Sequence, residues 1–158
     1  MPHKYWTRKD EKDAKAARSY KKLLAVALRV LERMPEPVCF VCGPISTGGA
    51  GSKKKNVAVF RQHIAQLKKE GWNVFDQMPF EKALWRLFAL YGNNEDKLLD
   101  EFYLLLFKSG KLGIFHFIPG WKTSQGATWE HAQARRLDIR KQYLKKLPAN
   151  RRRGGLTP

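Results

Sequence analysis

The chain has 158 residues, enough for one domain with a real core. Lys and Arg total 31 against 14 Asp and Glu, a net charge of +17 that implies an anionic partner: nucleotide, nucleic acid or acidic surface. The charged N-terminus lacks a signal-peptide apolar region. The longest apolar run, Leu23 to Leu28, is too short for a bilayer, so a cytoplasmic chain with no membrane partner is expected.

Residues 1 to 12 are polar and basic and predict a loose segment. From Ala14 to Met34, Ala17, Tyr20, Leu24, Ala27, Leu31 and Met34 recur at three and four, which predicts an amphipathic helix. Its other face carries Lys15, Arg18, Lys21, Lys22, Arg29 and Arg33, as a solvated face or one for nucleic acid or a membrane surface. Pro35 and Pro37 end it.

Val38 to Cys42 is a continuous apolar run, as expected of a buried parallel strand. Cys39 and Cys42 would point to opposite faces of it and cannot bridge each other, which predicts buried thiols in a reducing compartment. The glycine-rich stretch Gly43 to Ser52 leads into a helix from about Lys53 to Glu70, with Val57, Phe60, Ile64 and Leu67 inward. A strand, a flexible turn and a helix N-terminus can hold an anion. The loop is neither a Walker A nor a GxGxxG sequence. Gly71 caps the helix, and Trp72 to Phe75 predicts a short strand ending at Asp76. Helices follow over Phe80 to Tyr91, with Leu84, Trp85 and Phe88 inward, and over Glu95 to Lys108, carrying Asp100 and Glu101.

A third strand spans Gly113 to Ile118, with His116 expected as a hydrogen-bonded core histidine. Then comes the most informative stretch, Pro119-Gly120-Trp121-Lys122-Thr123-Ser124-Gln125-Gly126-Ala127-Thr128-Trp129-Glu130. Pro119 and Gly120 end the strand. Ser124 is a good N-cap for a helix over Ala127 to Leu137. Gly126 permits close approach to the backbone. Glu130, about one and a half turns in, faces the loop's crevice, with the helix dipole expected to keep it ionised as a nucleophile or base. Asp138 to Leu144 predicts a last strand, and the basic tail after it is expected to be disordered. No internal repeat and no cluster of metal ligands stand out.

Alternating strands and helices predict a parallel sheet with helices on both faces, plus the N-terminal amphipathic helix. The loops after Cys42, Phe75 and Ile118 then gather at one sheet edge, where open α/β sheets bind ligands. The expected organisation is a basic extension over 1–35, an α/β domain over 36–146 and a basic tail over 147–158.

The chain resembles the small nucleoside 2-deoxyribosyltransferase-like proteins of bacteria and phages, a superfamily that also contains nucleotide N-glycosidases. Val41-Cys42-Gly43-Pro44-Ile45-Ser46 is similar to that family's strand and G-P-I-S turn. Asn56 with Phe60, then Leu67, Gly71 and Asn73-Val74-Phe75, resemble its N-x-x-x-F helix and second strand. Pro119 to Glu130 resembles P-G-W-x-x-S-x-G-A-x-x-E. The resemblance covers roughly Val38 to Leu144 and implies a flavodoxin-like or Rossmann-like fold acting on the N-glycosidic bond of a (deoxy)nucleoside or its monophosphate.

Glu130 falls on the family's nucleophile, and Ser124 and Gly126 on positions that hold sugar or phosphate. Gly43, Pro44, Ile45, Ser46 and Asn56 complete the expected binding set, and Trp121 or Trp129 can stack on the base or pack in the core. The resemblance implies no cofactor and a homo-oligomer assembled through active-site edges. Gly113 replaces an Asp common at the start of the third strand, so the acid that assists the leaving base stays open among Asp76, Asp100 and Glu101. Relatives often end the second strand in Asn-Pro, where this chain has Asp76-Gln77. The chemistry suits carboxylates: positive charge builds on the sugar as the bond breaks, and the base needs a proton. The alternatives are a phosphoribohydrolase of the lysine-decarboxylase-like type, whose P-G-G-x-G-T-x-x-E loop is shorter, and a non-catalytic nucleotide or nucleic-acid binder.

Overall fold

The computed structural model describes residues 4–46 and 48–148. Its centre is a parallel sheet of β1 (Val38–Cys42), β2 (Asn73–Val74), β3 (Leu112–Phe117) and β4 (Arg140–Tyr143), in the order β2-β1-β3-β4. All five residues of β1 are buried, as its central place demands. The chain leaves β1 through α3 (Lys53–Lys69) to reach β2 on one flank, then returns to β3 on the other. The order therefore reverses between β1 and β3, where a crevice opens at the strands' carboxyl ends.

Crossovers toward opposite flanks place their helices on opposite faces of the sheet. Cys39 and Val41 pack with Phe60, Ile64 and Leu67 of α3 on one face. Phe40 and Cys42 join Phe115 and Phe117 in the larger core on the other. The cysteines thus lie on opposite faces, both buried and both free, as the strand period predicts. Flavodoxin-like parallel α/β architecture agrees with the sequence.

The N-terminus differs from expectation. α1 (Arg8–Ala16) and α2 (Tyr20–Arg33) form two helices where the sequence predicts a loose segment and one helix. The missed signal is a capping box: Thr7 accepts the Asp10 N–H and Asp10 accepts the Thr7 N–H. Ala17 is extended, and Ser19 caps α2 by accepting the Lys22 N–H. The apolar stripe is buried as predicted, but in the same core as Phe40 and Phe115. The hairpin is thus a wall of the main core, not an extension beside it. Part of its basic face is paired across the hairpin. Arg29 and Arg33 pair with the fully buried Asp10, and Arg29 also with Asp13. Burial pushes the Asp10 carboxyl up, but Arg33, the Thr7 amide and Arg29 outweigh it and hold the pKa at about 2.

A short 3₁₀ turn, Met78–Phe80, leads into α4 (Glu81–Leu90). α5 (Glu95–Leu98) runs through a π-helical segment, Leu99–Tyr103, into α6 (Leu104–Lys108). α7 (Gln125–Arg136) connects β3 to β4. Ala83, Leu84 and Leu87 are the buried residues of α4. Trp85, expected inward, is 38% exposed and borders the crevice. His116 is buried edge-on to Trp72, yet neither ring nitrogen has a hydrogen-bond partner among the described residues. Burial lowers its pKa and keeps it neutral, so it is a core histidine without the expected hydrogen bonds. Residues 149–158, most of the tail expected to be disordered, lie outside the described residues. Among the described residues no helix is long and apolar enough to cross a membrane.

Candidate active site

Loops after β1, β2 and β3 converge at the crevice, each giving residues to one pocket of about 170 Å³: Gly43, Ile45 and Ser46, then Gln77, then Ser124 and Gly126. Close approach fixes the first of them. A Cβ on Gly43 would come within 2.8 Å of Ile118 Cδ1. Asn56, buried in the first turns of α3, donates to the Ile45 and Gly48 carbonyls and accepts the Ala50 N–H. The Thr123 hydroxyl accepts the Gly49 N–H at 2.7 Å and donates to Gly120 O, which latches the first loop to the third. Gly49 has φ +63°, and a Cβ there would lie 2.5 Å from Asn56 Oδ1.

Glu130 enters the pocket from α7, as its position predicts, but in a different charge state. Burial pushes its pKa up to about 8, lowered somewhat by a hydrogen bond from the Cys42 thiol and raised further by the charge of Glu81. The expected dipole effect fails because Glu130 lies beyond the first turn, where that field has fallen off. The free pocket therefore holds Glu130 protonated at neutral pH. Burial also raises Glu81, at the start of α4, against a hydrogen bond from Trp85 and the charges of Lys53 and Arg61. Tyr103, on the π segment, is raised well above the usual phenol range by burial, Glu81 and Glu130, so it remains a hydroxyl donor. Lys53 Nζ lies 3.7 Å from the centroid of Trp85, giving the pocket mouth a cation over an aromatic face.

The structure brings Glu130, Gly43, Ile45, Ser46, Ser124 and Gly126 together. Ser124 is the N-cap as predicted, its hydroxyl accepting the Ala127 N–H. Others fall elsewhere for identifiable reasons. Asp76 accepts the Met78 N–H and pairs with Lys68 outside the pocket. Asp100 is exposed on the π segment, and Glu101 pairs with Lys97. Asn56 shapes the loop and does not line the pocket. Pro44 lines a separate cleft beside His63. Trp121 packs on Phe117 and His131, and Trp129 on Phe107. The amides of Gly49 and Ala50 are engaged by Thr123 and Asn56, so they are not the anion cradle that the glycine-rich loop suggests.

Sequence reasoning missed Glu81, Gln77, Trp85 and Tyr103. Glu81 had a readable signal: an acid in the first turn of a helix that follows a strand loop. Tyr103 had none, because its π turn breaks the helical period. Among the described residues no group of three or more His, Cys, Asp or Glu gathers as for a metal. No family model, curated protein or solved structure matches this chain.

Proposed function

We propose that the crevice cleaves or transfers at the N-glycosidic bond of a (deoxy)nucleoside or its 5′-monophosphate. The observation that carries this is a pair of carboxyls, Glu130 and Glu81, that act on each other by charge in one pocket and whose pKa values are both raised. Two carboxyls in unlike surroundings divide the acid and nucleophile roles in glycosyl transfer. The resemblance of Pro119 to Glu130 to the deoxyribosyltransferase loop supports the same assignment.

In this reading the pair holds one proton, on Glu130 in the free pocket. Substrate binding moves it to Glu81, which gives it to the leaving nitrogen of the base. The bond from C1′ to that nitrogen breaks with its electron pair on the base. The Glu130 carboxylate supplies the pair for the new bond to C1′. Water or a second base then attacks C1′, releases Glu130 and returns a proton to the pair. Trp85 and Phe88 offer aromatic faces to the base, and Tyr103 a hydroxyl to the sugar. Lys53 and the first turn of α7 at Gly126 favour a phosphate.

The test is incubation with nucleosides and their monophosphates, followed by chromatography for free base. Base release is expected, with kcat/KM higher for a monophosphate than for its nucleoside. No base released from any of them overturns the reading and leaves a nucleotide-binding protein.

A further inference from the structure

The turn after β3 and the strand β4 carry a feature that the crevice does not use. Successive residues on a helix are turned by about 100°, so Glu130 and His131 leave α7 toward different neighbours. Glu130 meets Cys42 of β1, whereas His131 meets Phe117 and Tyr143. There the Trp121 and His131 rings stack at 4.3 Å and 14°. Tyr143 continues the arrangement, 6.2 Å from Trp121 at 27°. A 2.7 Å hydrogen bond joins its Oη to His131 Nε2. Tyr143 is nevertheless 56% exposed, on the outermost strand of the sheet.

The surroundings are basic. Lys141, Arg135 and Lys122 all act on the His131 imidazole, which burial first and then these charges keep neutral. Lys122 Nζ also lies 5.7 Å from the Trp121 centroid. Between Pro119 and Pro148 the acids are Glu130 and Asp138, against seven Lys and Arg. Glu130 belongs to the crevice, so it does not offset them.

We infer that this platform binds single-stranded nucleic acid, with bases stacking on Trp121 and Tyr143 and phosphates meeting Lys122, Arg135 and Lys141. Single strands present free base faces, and aromatic platforms beside cations hold them without reading sequence. A duplex keeps those faces stacked inside itself. A second copy of the chain would bring another net charge of +17 against the same cations, which opposes self-association there.

The experiment measures anisotropy of a labelled oligothymidylate of about ten nucleotides with the full-length protein. Affinity should fall steeply with salt. Tyr143→Ala should weaken binding about tenfold, or ~1.4 kcal/mol. Tyr143→Phe, which keeps the ring and loses the hydrogen bond, should bind within about twofold of the parent. Lys141→Gln should reduce the salt slope by about one, and it remains informative if Tyr143→Ala melts early. Parent-like binding by Tyr143→Ala reduces the attraction to general charge and overturns the inference. So does equal affinity for a duplex of the same length. A dimer in sedimentation that Tyr143→Ala dissociates, with no competition from oligothymidylate, makes the platform an interface between copies and overturns it as well. Each of these is read from binding or mass, so the outcome is independent of whether the crevice turns over nucleotides.

Discussion

Asp10, on α1 against the arginines of α2, and Glu130, in the crevice, are both carboxyls that desolvation acts on, and they end in opposite states. Asp10 receives two arginines and the Thr7 amide, and its pKa falls to about 2. Glu130 receives a thiol and a second carboxyl, and its pKa climbs to about 8. Burial acts in the same direction on both. What separates them is the partner set: cations and a backbone donor for one, weak or like-charged groups for the other. The first arrangement ties helices together. The second holds an acid in a state that costs stability once it ionises, which is a mark of sites kept for chemistry.

Four substitutions sharpen or break that contrast. The largest effect is expected from Glu130→Gln, which keeps size and hydrogen bonding but removes the ionisable group. Base release should drop by about three orders of magnitude or more in kcat. Stability should move the other way. Glu130 titrates near 4.5 ordinarily and near 8 when folded, so folding takes up a proton between those values. The parent therefore loses stability as pH rises from about 4.5 through about 8, and Glu130→Gln does not. Melting curves at alkaline pH should show the variant ahead. If it melts below the parent there and turns over at the parent rate, Glu130 is an ordinary helix residue.

Glu81→Gln should lower kcat about a hundredfold, on the scale of a lost acid–base partner. It also removes the charge that raises Glu130. The limb of the pH–rate profile that reports Glu130 should then move to lower pH. A profile that falls in height without moving would uncouple the two carboxyls.

Asp10→Asn should leave turnover per folded molecule at the parent level and cost about 2 kcal/mol of stability at neutral pH, from a lost cap and charge-assisted hydrogen bonds. Because the folded pKa lies below the ordinary 3.8, this contribution is complete above that value and lost as pH falls through about 2. Denaturant titrations of parent and variant should therefore converge in acid. A gap that stays constant would mean the carboxylate's charge is not what the arginines hold. Ser124→Ala, the mildest change, should cost about 1 kcal/mol through the cap and raise KM with a smaller loss in kcat, as steady-state rates would show.

Much of this architecture is legible in the amino-acid sequence. β1 announces itself by five consecutive apolar residues, and the Gly and Pro breaks after β1 and β3 mark the loops that meet at the crevice. Glu130 is legible because loop, cap and helix phase all point to it. Its protonation is not legible, because that depends on Cys42 and Glu81, which come from β1 and α4. Asp76 and Asp100 attract attention as acids near strand ends or on helices, yet only the folded chain shows Lys68 beside the first and solvent around the second. The N-terminal hairpin was hidden for a similar reason. Its charged face suggests solvent alone, whereas Arg29 and Arg33 also pair with the buried Asp10 of α1.

The Asn56 side chain has a kinetic consequence. By holding Ile45, Gly48 and Ala50 at once, it orders those positions of the loop after β1, Ile45 at the crevice among them, while the chain folds. An arriving ligand need not freeze those backbone positions, so that entropy is absent from the cost of association. Encounter with the pocket should then run at the rate set by diffusion and the positive field, without a slow ordering phase. Differences in affinity between ligands would appear almost wholly in how fast they leave.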